Sequence, residues 1–262
     1  LILNSESCVL TPAFIISSAH LLNYSIMGTP QIDFADNERA LGEVFLELAL
    51  VTDHFEVYAN PHALRLARLA DEVAKLFKLA RQDRASLRLA ALAHDMGEVT
   101  MERDYIKRAG ELREEERLDL ARHPLIGERE AARSGADRGA QLLVRWHQEW
   151  WNGMGYPDAL QREQIPLAAR ILRVADAYAA LTDTRPFRPA RTEEEARRHL
   201  TEWAGLEFDP RVVQAFLSLE SIAELRSYAV VVGPPQGNGN REWERAAGAA
   251  ERPQSPPPTI DE

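Results

Sequence analysis

The chain has 262 residues, 45% apolar and 27% charged, a balance that excludes a wholly disordered chain, a collagen and a membrane bundle. Its one cysteine, Cys8, excludes a disulfide framework and a Cys-based zinc ribbon. The net charge of −10, from 41 acids against 31 bases, excludes a DNA- or RNA-wrapping protein, which needs a basic footprint, but leaves room for a small anion held by local arginines or metal ions.

Residues 1–40 are mixed and weakly patterned. Their first basic residue is Arg39, so they lack the basic start of a signal peptide. The apolar stretches at 14–17 and 19–22 fall far short of the ~20 residues of a membrane span. The chain opens on Leu1, and this segment is expected to be the end of an upstream module.

Residues 41–220 are rich in Ala, Leu, Arg and Glu and read as helices. In 62–79, Leu66, Leu69, Ala70, Val73, Leu76 and Phe77 recur at three- and four-residue steps, one stripe of an amphipathic helix. Residues 86–93 are nearly all apolar and predict a buried helix. The pattern continues in 114–122, where the Glu114-Glu115-Glu116 run predicts a solvated helix start, and in 127–133. In 167–181, Ile171, Val174, Ala175, Tyr178 and Leu181 share a face. Thr192 with Glu195 predicts a capping box, and Asp209-Pro210 an N-cap and first helical residue before Val213, Phe216 and Leu217. Only 228–232 looks strand-like. Residues 233–262 hold four Gly and six Pro and predict a disordered tail with Trp243 as its one sizeable apolar residue. The expected domain therefore runs from 41 to 232 and is all-α.

The chemistry is carried by separate helical segments. His94-Asp95 ends the buried helix, where a charged pair is costly unless compensated. A divalent metal would compensate it, since imidazole and carboxylate both ligate Zn, Mn or Fe; read alone, the pair is more simply a helix end with a chance histidine. It is not alone. His62 opens the preceding helix, His123 precedes Pro124 on a short polar segment, and His147 ends the apolar run 142–146. Asp176 lies in an otherwise buried helix, where an unpartnered Asp is rare. Five segments each directing one ligand inward is how helical bundles build metal sites.

The order His62, His94-Asp95, His123, Asp176 resembles the HD superfamily of metal-dependent phosphohydrolases. His147-Gln-Glu-Trp-Trp-Asn-Gly-Met-Gly-Tyr-Pro157 resembles the HD-GYP signature, with Gly155-Tyr156-Pro157 intact. Leu181-Thr-Asp-Thr-Arg-Pro-Phe-Arg188 resembles the arginine motif that follows it, and Phe208-Asp209-Pro210 a late Phe-Asp-Pro. The resemblance covers about residues 45–220. It implies an HD-domain helical bundle with an extra C-terminal HD-GYP helical segment, and hydrolysis of cyclic di-GMP by in-line attack of a metal-bound hydroxide. It implies His62, His94, Asp95, His123, His147 and Asp176 as ligands of one or two Fe, Mn or Zn ions, with Asp95 bridging and catalytic. It implies Arg185 and Arg188 at the substrate phosphates and Gly155 and Tyr156 along the guanine-nucleotide site.

Several positions depart from that pattern. Gln148 stands where the family has a second histidine, Glu98 where it has Lys, and Tyr58 where some members have a third-metal Glu. Ala179 replaces a second Asp, and Asn152 an Asp before Gly. The expectation is two metals, the second weaker, with Glu98 opposing the phosphodiester. The alternatives are a weak or inactive module that binds metal or cyclic di-GMP and signals through partners, and a phosphohydrolase of another substrate. Trp146, Trp150 and Trp151 either stack on a base or pack the loop, and Tyr156 either stacks on guanine or pins it. His20, His54 and His199 are expected to be structural or exposed, and Cys8 has no assigned role. A cytoplasmic location, an upstream signalling domain and a homodimer complete the expectation.

Overall fold

In the computed structural model the described residues are 36–108, 110–185 and 188–219, with side chains from residue 41 onward. The strand-like run 228–232, the tail, Cys8, His20 and the N-terminal segment lie outside them. Among the described residues ten α-helices follow in chain order: α1 (Asp36–Phe55), α2 (His62–Leu76), α3 (Arg81–Ala93), α4 (Met96–Met101), α5 (Glu114–Leu120), α6 (His123–Arg133), α7 (Arg138–Trp146), α8 (Leu167–Thr182), α9 (Glu193–Glu202) and α10 (Pro210–Leu217). Among the described residues the only β pairing is two isolated bridges, one of them Arg185 with Arg188. No described helix is long and apolar enough to cross a membrane.

The centre of the bundle is α2, α3 and α8. Helix α2 packs on α3 and α8, α3 on α7, and α6 on α7 and α4. Their facing stripes are Leu66, Leu69, Ala70 and Val73; Leu87, Ala90 and Ala91; and Ile171, Leu172, Ala175 and Tyr178, all at most 1% exposed. Each fully buried Leu, Ile or Phe contributes about 1.5–3 kcal/mol of burial. The many alanines on these faces let the axes approach closely. A close approach joins α4 to α6, where a Cβ on Gly97 would lie 2.1 Å from the His123 carbonyl oxygen. Only glycine allows the chain just after His94-Asp95 to touch the helix that begins at His123.

Thr192 accepts from the Glu195 backbone N–H and Glu195 returns the bond, the capping box read from the sequence. Asp209 caps α10 with Pro210 as its first residue.

Three readings need correction. Leu76 is 50% exposed, because α2 ends there and the chain turns away at Phe77. The helix read over 127–133 begins earlier, at His123, so the short polar segment carrying that residue is its first turn. Glu116 is buried, as the carboxylate that closes a capping box with Arg113 and pairs with Arg108.

Candidate metal centre

His94, His123 and His147 each lie within three residues past the end of a helix and share one device. His94 and His147 follow the last residues of α3 and α7, and His123 lies just beyond α5. The last carbonyls of a helix have no partner within it. Each ring uses one: Nδ1–H donates to Ala91 O at 3.0 Å, Leu120 O at 2.8 Å and Val144 O at 2.7 Å. That leaves the three Nε2 atoms directed away from the backbone.

Those atoms converge in two sets, His62, His94 and Asp176 in one and Asp95, His123 and His147 in the other, with donor atoms in each set within 4.8 Å of one another. His62 Nε2 lies 3.4 Å from Asp176 Oδ1. His123 Nε2 and His147 Nε2 each lie 3.3 Å from Asp95 Oδ1, and 3.2 Å from each other. Asp95 Oδ2 lies 2.9 Å from His94 Nε2. Asp95 thus offers one oxygen to each set.

The sets fit divalent transition ions. His62 Nε2, His94 Nε2 and Asp95 Oδ1 are buried and, although imidazole or carboxylate atoms lie close to each, make no hydrogen bond of proper geometry, a costly arrangement without a cation to face. Two ring nitrogens whose lone pairs meet at 3.2 Å repel each other, whereas two ligands on one ion with ~2.1 Å bonds sit roughly that far apart.

The electrostatics make the same demand. Burial opposes a charge on His94, but Asp95 and Asp176 outweigh it and raise that ring to about 10. Burial lowers His147. Asp176 is held down to about 2 against its burial by His62, His94 and Arg173.

Gln148 places its amide nitrogen 3.2 Å from His147 Nε2, beside the second set. Glu98 does not turn outward to Arg103 or Lys107: Arg103 pairs with Asp119, and Lys107 lies over the Phe55 ring. It is 8% exposed, 3.9 Å from His123 Nδ1, and raised to about 7 by burial and then Asp95.

The Gly155-Tyr156-Pro157 loop folds back on the end of α7. A Cβ on Gly155 would lie 2.2 Å from Trp150 N, and Tyr156 N–H donates to Gln148 O. Tyr156 meets the His123 ring edge-on at 6.2 Å, so it borders the second set. The three tryptophans have packing partners: Trp146 donates to Asp158, Trp150 meets Trp203 edge-on, and Trp151 lies under Arg170.

Arg185 and Arg188 are already engaged. Arg185 donates to Glu56 and lies over the Tyr58 ring, while Arg188 donates to Ala180 O. Ala179 is wholly buried in the core.

Sequence reasoning missed five residues around the two sets. Asp183 Oδ2 lies 2.9 Å from His62 Nδ1, and Arg65 holds its other oxygen at 2.6 Å. Arg173 bridges Asp176 Oδ2 to Glu207. Glu56, 1% exposed, is raised well above the usual range by burial, then by Asp95 and Glu98. Of these, Arg65, Arg173 and Asp183 lay in stretches already read, at 62–79, 167–181 and 181–188, but only as helix or motif positions with no role.

The family model described as "HD domain" matches residues 48–212. A cyclic di-GMP phosphodiesterase of Thermotoga maritima is 30% identical over 190 residues, 71% of this chain and 51% of that one. The cyclic di-GMP phosphodiesterase response regulator RpfG of Xanthomonas campestris is 38% identical over 179 residues, 67% and 47% of the two chains. A 3′3′-cGAMP-specific phosphodiesterase of Vibrio cholerae is 30% identical over 177 residues, 67% and 34%. The crystal structure of another V. cholerae cyclic GMP-AMP phosphodiesterase superposes with a TM-score of 0.55 at 19% identity, over 71% of this chain and 50% of that one, a likeness of fold. The chain spans about half the length or less of these curated relatives. The all-α fold and the matched model agree: the chain belongs to the HD domain family, in its HD-GYP branch.

Proposed function

We propose that this domain hydrolyses a 3′–5′ phosphodiester of a cyclic dinucleotide, cyclic di-GMP first among them, in the cytoplasm. The observation that carries the reading is the pair of buried donor sets sharing Asp95. Divalent ions there would supply an activated water and a clamp for the phosphoryl oxygens. The chain's own residues do the rest. Asp95 spans the two sets, His62, His94 and Asp176 serve the first, and His123 and His147 the second. Tyr156 and Gly155 line the nucleotide side, and Arg185 and Arg188 face the phosphates once substrate draws them from Glu56 and Ala180.

A second reading, a weak or inactive module that binds metal or nucleotide and signals through partners, is favoured by Gln148 beside His147 and by the Glu56–Arg185 pair. The deciding experiment loads the protein with Mn²⁺ and follows cyclic di-GMP and 3′3′-cGAMP by chromatography. Linear dinucleotide formation that Asp95→Asn abolishes supports the enzyme. Tight binding of either nucleotide with no product supports the module.

A further inference from the structure

His62 differs from the other three histidines in one respect. It opens α2 with no helix ending close before it, whereas His123, which opens α6, follows the last residue of α5 by three positions and reaches its free carbonyl. Free carbonyls lie at helix C-termini, and free N–H groups at N-termini. The device that fixes His94, His123 and His147 is therefore absent at His62. Its Nδ1 meets Asp183 Oδ2 instead, at 2.9 Å across 121 residues.

Asp183 is itself fixed. It is 3% exposed and directly follows α8. Arg65, one turn into α2, reaches its Oδ1 at 2.6 Å and Thr182 Oγ1 at 2.6 Å. The carboxylate has one oxygen for the ring and one for the guanidinium, so its rotation is blocked.

We infer that Asp183, braced by Arg65, is the positioning residue for His62: it accepts the Nδ1 proton and so turns the Nε2 lone pair toward Asp176 and His94. A side chain does here what the backbone does for the other three rings. Carboxylates behind ligating imidazoles fix tautomer and orientation in this way. The inference rests on the reading of the two sets as a metal centre, but the ring's tautomer is measurable without a metal.

The test records long-range ¹H–¹⁵N spectra of the full chain, metal-free and zinc-loaded, and titrates Zn²⁺ by calorimetry. In the unmodified protein His62 carries its proton on Nδ1 when zinc-loaded, and also when metal-free at a pH alkaline enough for the ring between Asp176 and Asp183 to be neutral. Asp183→Ala releases that proton to either nitrogen and weakens the tighter binding step by roughly 10–100-fold, leaving the weaker step in place. Asp183→Asn can turn its single amide oxygen to His62 or to Arg65 but not to both. Alone it therefore loses affinity, and with Arg65→Met it recovers most of it. If Asp183→Ala fails to fold, the asparagine pair decides. A purely structural role would shift melting without changing the tautomer or giving that rescue. An unchanged His62 signal and unchanged zinc affinity in the Asp183 variants overturn the inference. A tautomer that depends on Asp183 in a protein that takes up no metal supports the positioning of the ring and overturns the metal reading instead.

Discussion

The phenol of Tyr58 lies flat on the imidazole of His62, ring centroids 4.1 Å apart and planes 1° from parallel. The Arg185 guanidinium covers its other side, 3.9 Å from the ring centre. One aromatic ring thus separates a candidate metal ligand from a candidate phosphate-binding cation. Aromatic and cation–π contacts of this kind contribute roughly 0.5–1.5 kcal/mol each. Tyr58→Ala is expected to weaken both zinc uptake and cyclic di-GMP binding by about fivefold, and Tyr58→Phe to weaken neither. Calorimetry with each ligand checks this. Equal losses for Ala and Phe would show that the hydroxyl matters and the stack does not.

The two donor sets are not equivalent. The first has four side chains near it, His62, His94, Asp176 and Asp95 Oδ2. The second has Asp95 Oδ1, His123 and His147, with only a neutral amide at Gln148. Mn²⁺ titration of the metal-free protein should show two steps of unequal affinity. Gln148→His should tighten the weaker one alone, and His94→Ala should abolish the stronger, read by elemental analysis. Two equal tight steps in the unmodified protein would contradict the ranking.

What the sequence made legible and what it did not divide along a physical line. Stripes such as Leu66, Leu69, Ala70 and Val73 are legible because a helix repeats every 3.6 residues and needs one buried face. The six His and Asp residues of the two sets are legible because they stand at the boundaries or on the buried faces of five separate helical segments, His94 and Asp95 sharing one. Asp183, Arg65, Arg173, Glu207 and Glu56 are not. Their roles exist only through pairings such as Arg65 with Asp183 or Arg185 with Glu56, more than a hundred residues apart. The tryptophans illustrate the same boundary: stacking and packing are equal readings until Trp203, Asp158 and Arg170 are seen against them.

Away from the centre, α2 is tied to α3 by Asp71, which accepts two bonds from Arg84 at 2.9 and 2.7 Å and a third from Arg88 at 3.2 Å. Burial would raise this carboxyl, but the hydrogen bonds and charge of Arg84, with Arg88 and Lys75, outweigh it and hold it below its ordinary value. A carboxyl lowered by folding stabilises the fold above its unfolded pKa near 3.8, and that contribution disappears as pH falls through the lower folded value. Asp71→Asn should therefore cost roughly 2 kcal/mol at pH 7, between an exposed and a buried ion pair. The difference from the unmodified chain should be constant down to about pH 5 and shrink below pH 4. Urea unfolding at pH 7, 5 and 3 checks the sign. A deficit that grows in acid would mean that Asp71 is not held by the arginines.

Glu98 is the substitution most directly opposed to an anionic substrate. It is buried beside His123, and burial, Asp95 and the nearby Arg185 set its electrostatic surroundings. With Glu56 and Asp95 it makes three carboxylates around one guanidinium. Two unit charges ~6 Å apart repel by about 3 kcal/mol at an effective dielectric near 20, an upper bound of roughly a hundredfold in affinity. Glu98→Gln removes the charge with little change of shape and should tighten cyclic di-GMP binding by about tenfold, part of that bound. Glu98→Lys adds a cation that Glu56 can neutralise, freeing Arg185 for the phosphate, and should tighten binding further. Combined with Gln148→His it should also raise turnover more than either change alone, because charge neutralisation and the second donor set act on the same phosphate. Binding by calorimetry separates these effects from the rate. If Glu98→Gln and Glu98→Lys both bind nucleotide as the unmodified chain does, the carboxylate does not face the substrate, and the acidic cluster serves the metals alone.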